Sequence, residues 1–171
     1  CVEFVASEKA THVVLQRRGP TSVQEFINPS ETQTMSTGTV KLHRVLKAPA
    51  ERIFKAFVDA DAMAKWLPPH GFTGKVHAID ARVGGTYKMS FTNFTTGDSH
   101  AFGGTYTELV PHSRICYTDK FDDPNLPGEM QVTVELKQVS VGTELNIVQA
   151  GIPDMIPTEA CCLGWQESLA L

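Results

Sequence analysis

The chain reads as one α+β domain, a curved antiparallel sheet of about six or seven strands around a C-terminal helix, with two short helices after the first strand. Three observations lead there. From Val76 to Gln149 apolar residues recur with a period of two, in successive segments parted by short turn signals, as half-buried antiparallel strands do. Helical spacing is confined to a stretch before this run and a segment after it. The order contains no βαβ unit, internal repeat or glycine-rich phosphate loop, so both helical parts must cover one face of a meander.

Each element has its own warrant. Thr39–Lys47 alternates, with Val40, Leu42 and Arg44 on one face. Pro49 suits the first position of a helix, where its missing N–H is not needed, and Glu51 favours the positive end of the helix dipole. Ile53, Phe54, Phe57 and Val58 make its apolar face. Asp61 is placed to cap a second short helix carrying Met63, Trp66 and Leu67, and Pro68-Pro69 stops it. The first strand of the meander puts Val76, Ala78 and Asp80 on one face and His77, Ile79 and Ala81 on the other. After Gly84-Gly85, Tyr87, Met89 and Phe91 alternate with Lys88 and Ser90, and Thr95-Thr96-Gly97-Asp98 turns the chain. Phe102–Val110 follows with Tyr106 and Glu108 on one face; then Ile115, Tyr117, Asp119 and Phe121 share a face before an acidic loop at 122–128. Two further strands carry Val132, Val134 and Leu136, then Leu145, Ile147 and Gln149. From about Thr158 the chain is helical, with Cys161, Trp165, Ser168 and Leu169 around one side; without a capping residue before Leu171, the natural helix is expected to run on for another turn or two.

Composition removes several classes of function. A chain of 171 residues suits one domain with a sizeable core. A net charge of −4 without a basic stripe argues against nucleic acid. No apolar run approaches the roughly 18 residues of a membrane span, so no membrane partner is expected. Cys1, Cys116, Cys161 and Cys162 form no CxxC pair and have no histidine at ligand spacing, which points to reduced thiols and a cytoplasmic protein. No metal or cofactor is expected. Residues 1–34 differ in texture, lack the compact apolar core of a signal peptide, and precede a natural start at Met35. They read as a non-native or flexible extension, with an N-terminal arm docked on the domain as the alternative. The domain proper is placed at 39–171.

Several segments together resemble a known family: APAERIFKAF at 48–57, Trp66-Leu67 before His70-Gly71-Phe72, DARVGGTY at 80–87, GTYTELVP at 104–111, GTEL at 142–145 and Gly164-Trp165. In order and spacing they are similar to the activator-of-Hsp90-ATPase-like branch of the START/Bet v 1-like superfamily, the SRPBCC proteins, over roughly residues 39–171. The resemblance implies a helix-grip fold, a bent sheet gripping the C-terminal helix with a cavity between them. Its members range from lipid and hormone carriers to aromatic cyclases and Hsp90 co-chaperone domains, so fold alone does not assign a task. Relatives often carry an apolar or aromatic residue where this chain has Asp119, and a histidine where it has Gln149.

The expected pocket is lined by Trp66, Phe72, Tyr87, Met89, Phe91, Tyr106, Tyr117, Asp119, Phe121, Gln149 and Trp165. Apolar walls with a few placed polar groups are what ligand sites use, although the same aromatics could simply fill the core, and Trp165 is the strongest candidate for a packing role. Asp119 either stands exposed at the rim before the acidic loop or faces the cavity, where Tyr117 or Glu108 could make it half of an acid–base pair. His70 and His100 have no third ligand and read as loop histidines. Cys116 alternates opposite Tyr117, faces away from the pocket and has no base. Three functions follow: a binder of a small apolar or aromatic molecule, a chaperone-directed or other protein-interaction module, and a cyclase- or dehydratase-like enzyme. The first is the preferred reading, with no catalytic residue assigned. Exposed edge strands also invite pairing, which puts a homodimer among the expected partners.

Overall fold

A computed structural model describes residues 37–170, so the expectations for 1–34 and for the last residue lie outside the described residues. The order is β1 (Gly38–Leu46), α1 (Ala50–Val58), α2 (Ala60–Trp66), β2 (Phe72–Ile79), β3 (Thr86–Asn93), β4 (Ser99–Val110), β5 (Arg114–Phe121), β6 (Met130–Val139), β7 (Gly142–Ile152) and α3 (Thr158–Ser168). All seven strands form one antiparallel sheet in the order β1-β7-β6-β5-β4-β3-β2. Strands β2 to β7 are the meander that the alternation predicts, and β1 returns to pair with β7, with Val40 opposite Gln149 and Leu42 opposite Ile147.

The buried face follows the period of two. Val132, Val134 and Leu136 of β6 and Leu145, Ile147 and Gln149 of β7 are buried, and their outward neighbours Gln131, Glu135 and Lys137 are exposed. The helices close this face with Ile53 and Phe57 from α1, Met63 from α2, and Cys162, Trp165 and Ser168 from α3. Burying side chains of this size is worth about 1.5–3 kcal/mol each, so the fold rests on this one interface of sheet and helices.

Local structure corrects the sequence reading at four points. In β2 the register shifts between Val76 and Ala78. The extra residue flips the later side chains, so that Val76 and Ile79 both pack on the core, where strict alternation puts them on opposite faces. In β4 a shift between Tyr106 and Glu108 does the same: Tyr106 and Leu109 turn inward, and Glu108 moves to the outer face beside Arg114. Pro49 has extended backbone (ψ 149°) and is the residue before α1, not its first helical one. The cap of α2 is Asp59, whose side chain accepts a hydrogen bond from the Ala62 backbone N–H at 3.0 Å; Asp61 sits in the first turn. Asp59 serves because its extended conformation both ends α1 and opens α2.

Strand β4 is closely approached by both neighbouring strands where Gly103 and Gly104 lie. A Cβ at Gly104 would run into the Thr118 carbonyl of β5 and one at Gly103 into the Tyr87 carbonyl of β3. Here the hydroxyl Oγ1 of Thr118 accepts the Thr105 N–H at 3.1 Å. This pinch brings β3, β4 and β5 together at the level of their tyrosines.

Candidate functional site

Between the sheet and α3, three strands each contribute a tyrosine: Tyr87 from β3, Tyr106 from β4 and Tyr117 from β5. Their ring centroids lie 5.6–6.1 Å apart in tilted and edge-to-face arrangements. The Tyr106 hydroxyl donates to the Phe57 carbonyl of α1 at 3.2 Å, and the Tyr87 hydroxyl donates to the Thr118 carbonyl at 3.4 Å. Burial holds all three phenols above their ordinary range, Tyr106 at about 12.

Asp119 lies two residues beyond Tyr117 on the same face of β5 and opposite Met130 of β6. It is half-buried as a residue, yet its Oδ1 is sealed from solvent and has no hydrogen-bond partner. The expectation of an exposed rim aspartate therefore fails. Desolvation pushes its carboxyl up to about 7, against the opposing pull of Tyr87 and the Lys120 backbone N–H. Across the gap, α3 brings Cys161 close enough that Asp119 adds to the rise in its thiol pKa, which burial mainly causes. Glu108, the other candidate partner, is on the outer face with Cys116 and Arg114, so no Asp119–Glu108 acid–base pair exists. Cys116 lies on that outer face as expected, half-buried.

Two groups flank the carboxylate. Toward α3, the Trp165 indole N–H donates to Gln149 Oε1 at 2.8 Å and Gln149 Nε2 donates to Met130 Sδ at 3.3 Å, which satisfies a buried amide and fixes α3 on β7. Along the sheet, Phe91, Phe102 and Phe121 form an edge-to-face row with centroid spacings of 4.8 and 6.1 Å. Phe102 is buried, whereas Phe91 and Phe121 are half-exposed. Met89 is fully buried beneath them, opposite Phe102.

Two expected pocket residues lie apart from this group. Trp66 packs edge-on against Phe57 at 4.7 Å and donates its indole N–H to the Ala56 carbonyl at 2.8 Å, clamping α2 to α1. Phe72 lines a surface cleft of about 320 Å³ with Pro68, Pro69, His70 and Phe94. A second cleft, of about 340 Å³, lies at the start of α3 near Gly38 and Pro157. His70 faces the first cleft, His77 meets Ser90 at 2.9 Å and His43 meets Glu144 at 3.1 Å. No group of three His, Cys, Asp or Glu side chains placed to hold a metal occurs among the described residues. Met130 and Cys161 were missed by the sequence reading. Met130 could have been found by extending the alternation of Val132 and Val134 back one step; Cys161 required knowing which side of α3 meets β5.

This architecture defines a class, the helix-grip domain with a curved antiparallel sheet closed by a C-terminal helix. Within it, the family model for activator of Hsp90 ATPase homolog 1-like proteins matches residues 47–171, and the chain belongs to that family. Among solved structures, a Chromobacterium violaceum protein is 61% identical and superposes with a TM-score of 0.76 over 77% of this chain and 92% of that one. A Rhodobacter sphaeroides protein (20% identity, TM-score 0.69, 77% of this chain and 87% of that one) shares the fold. So does one from Rhizobium leguminosarum (24% identity, TM-score 0.66, 79% and 91%). No curated protein matches the chain. None of the described helices is long and apolar enough to cross a membrane.

Proposed function

We propose that the domain binds a small, largely apolar or aromatic molecule on the concave face of the sheet, against Phe91, Phe102 and Phe121 and beside Tyr87, Tyr117 and Asp119. The observation that carries this reading is the half-exposed aromatic row running up to a sealed carboxylate oxygen that nothing in the domain satisfies. An aromatic wall with one placed polar group suits ligand retention, and an unpaired buried acceptor costs about 1–3 kcal/mol that a ligand can recover. The proposal is of binding without turnover, with no residue assigned a catalytic role. Cytoplasmic location and a chaperone or other protein partner belong to the same proposal only as secondary elements. The exposed Phe94 beside the Pro68-Pro69 cleft is the surface feature that favours a protein partner among the described residues of that cleft.

The test is a thermal-shift screen of the full chain against neutral aromatic and lipid-like compounds. Hits are placed by the two indole N–H signals of a ¹H–¹⁵N spectrum. A ligand at about 100 times its dissociation constant adds roughly 2.7 kcal/mol, and the Trp165 signal should move while that of Trp66, in the α1–α2 clamp, stays. A folded protein with no shift from any compound class would sink the reading. Stimulation of an Hsp90 ATPase by the chain, with no small-molecule binding, would put the protein-interaction reading in its place.

A further inference from the structure

Resting on the interior site proposed above, we infer that its ligand carries a hydrogen-bond donor, a hydroxyl or a protonated amine, that reaches Asp119 Oδ1, and that the site discriminates against carboxylate-headed molecules.

Asp119 Oδ1 is sealed from solvent and accepts from none of the donors around it. From β3, the Tyr87 hydroxyl is shared between the Thr118 carbonyl, at 3.4 Å, and the Asp119 carboxylate, where it leaves Oδ1 without a partner. From β4, the Tyr106 proton goes to the Phe57 carbonyl. From β7 and α3, one N–H of the Gln149 amide goes to Met130 and the Trp165 indole N–H goes to Gln149. The Lys120 backbone N–H already bonds the carboxylate, and Oδ1 still has no partner. Cys161 on α3 is close, but a thiol is a weak donor. Among the described residues the buried polar ones are Ser90, Thr143, Gln149 and Ser168, with no Lys, Arg or His, and no cationic side chain is among the groups that shift the Asp119 carboxyl. The domain thus presents an enclosed acceptor at the end of an apolar aromatic row, and the complementary molecule has an apolar body with a donor at one end. A carboxylate head would set two like charges side by side in a poorly solvated place.

Charge at this site changes through Asp119. Tyr87, Tyr106 and Tyr117 are all held above their ordinary values and Cys161 is also raised, so these four neighbours stay neutral through the neutral range. Toward acid pH the protonated Asp119 becomes a donor itself, and discrimination against a carboxylate should shrink.

Four probes of one skeleton separate the possibilities: 2-methylnaphthalene, naphthalene-2-methanol, naphthalene-2-methylamine and 2-naphthoate. They are titrated into the full chain at about pH 8 and about pH 5, on either side of the raised carboxyl, and followed by calorimetry and the Trp165 indole signal. At the higher pH the alcohol and amine should bind about tenfold or more tighter than the hydrocarbon and the naphthoate, as one hydrogen bond to a charged group allows. The gap to naphthoate should narrow at the lower pH. Asp119→Leu should erase the preference for the donor probes, and Asp119→Asn should admit naphthoate. If all four probes move Trp165 with equal affinity at both pH values, the interior site stands and the donor inference falls. If no probe moves Trp165, the interior site itself falls, and the inference with it. Should either variant fail to fold, the ratios among the four probes on the unaltered chain decide the matter alone.

Discussion

At Asp119 a carboxylate works against the fold, and the sign can be followed through pH. Its folded-state pKa is raised from 3.8 to about 7, so between these values the native state holds a proton that the unfolded chain has lost. Stability therefore falls as pH rises through that window, is unaffected by this group below it, and carries the full cost above it. Asp119→Asn removes the titration and should be stabilising by on the order of 2–4 kcal/mol at about pH 8, with the gain vanishing near pH 4. Urea unfolding of both proteins across pH checks this, and a pH-independent difference would contradict it. The face occupied by Asp119 was legible from its spacing to Tyr117 and Phe121. Its enclosure was not, because that depends on Cys161 arriving from a helix more than forty residues later and on the pinch of β4 against β5. Gln149 shows the converse: its inward position was legible from the alternation of β7, and its partner Trp165 was independently in view as a residue that packs on the sheet, yet nothing in the spacing joins the two.

Among elements, β4 decides how the site is shaped. Two irregularities lie within five residues of each other, the glycine pair at 103–104 and the register shift after Tyr106. The first lets β3 and β5 close in and the second turns Glu108 out and Leu109 in. Periodicity predicts each strand's existence well but fails at such bulges, since one extra residue reverses every later side chain; this is why Glu108 and Ile79 were assigned to the wrong faces. The hairpin glycines were legible as turns, but Gly103 and Gly104 lie inside a strand, where only the approach of a neighbouring backbone explains them. Gly104→Ala should lower stability by about 3 kcal/mol, as overpacking against backbone does, with the loss read from denaturant midpoints. A change within about 0.5 kcal/mol would mean that the strands can part at this point without cost. The same substitution at Gly84, a turn glycine with φ +80° and open space around its Cβ position, would cost through backbone strain alone and serves as the control.

Taken as a whole, the molecule joins a strongly paired sheet to a lightly held helix. Strands β1, β6 and β7 pair along most of their lengths, with β7 hydrogen-bonded on both edges and buried residues at every second position. Helix α3 has 11 residues and buries only Cys162, Trp165 and Ser168. Its polar ties include Trp165 to Gln149, the Ser168 hydroxyl to the Leu67 carbonyl at 2.6 Å, and Glu167 Oε2 accepting the His70 N–H at 3.2 Å. A helix of this length has little stability of its own in water, and segments with few buried apolar contacts open at a free energy well below that of global unfolding. Opening of α3 would draw Cys161 and Trp165 away from Asp119 and Gln149 without disturbing the sheet, which would give a ligand a route to the proposed site. Native-state hydrogen exchange should therefore show the amides of α3 exchanging well before those of β6 and β7. A saturating donor-headed aromatic should slow α3 selectively, by a factor that grows with ligand concentration as linkage requires. If α3 and β7 instead exchange together at the global rate, the helix is not the door, and entry must be sought at the open end of the row formed by Phe91 and Phe121.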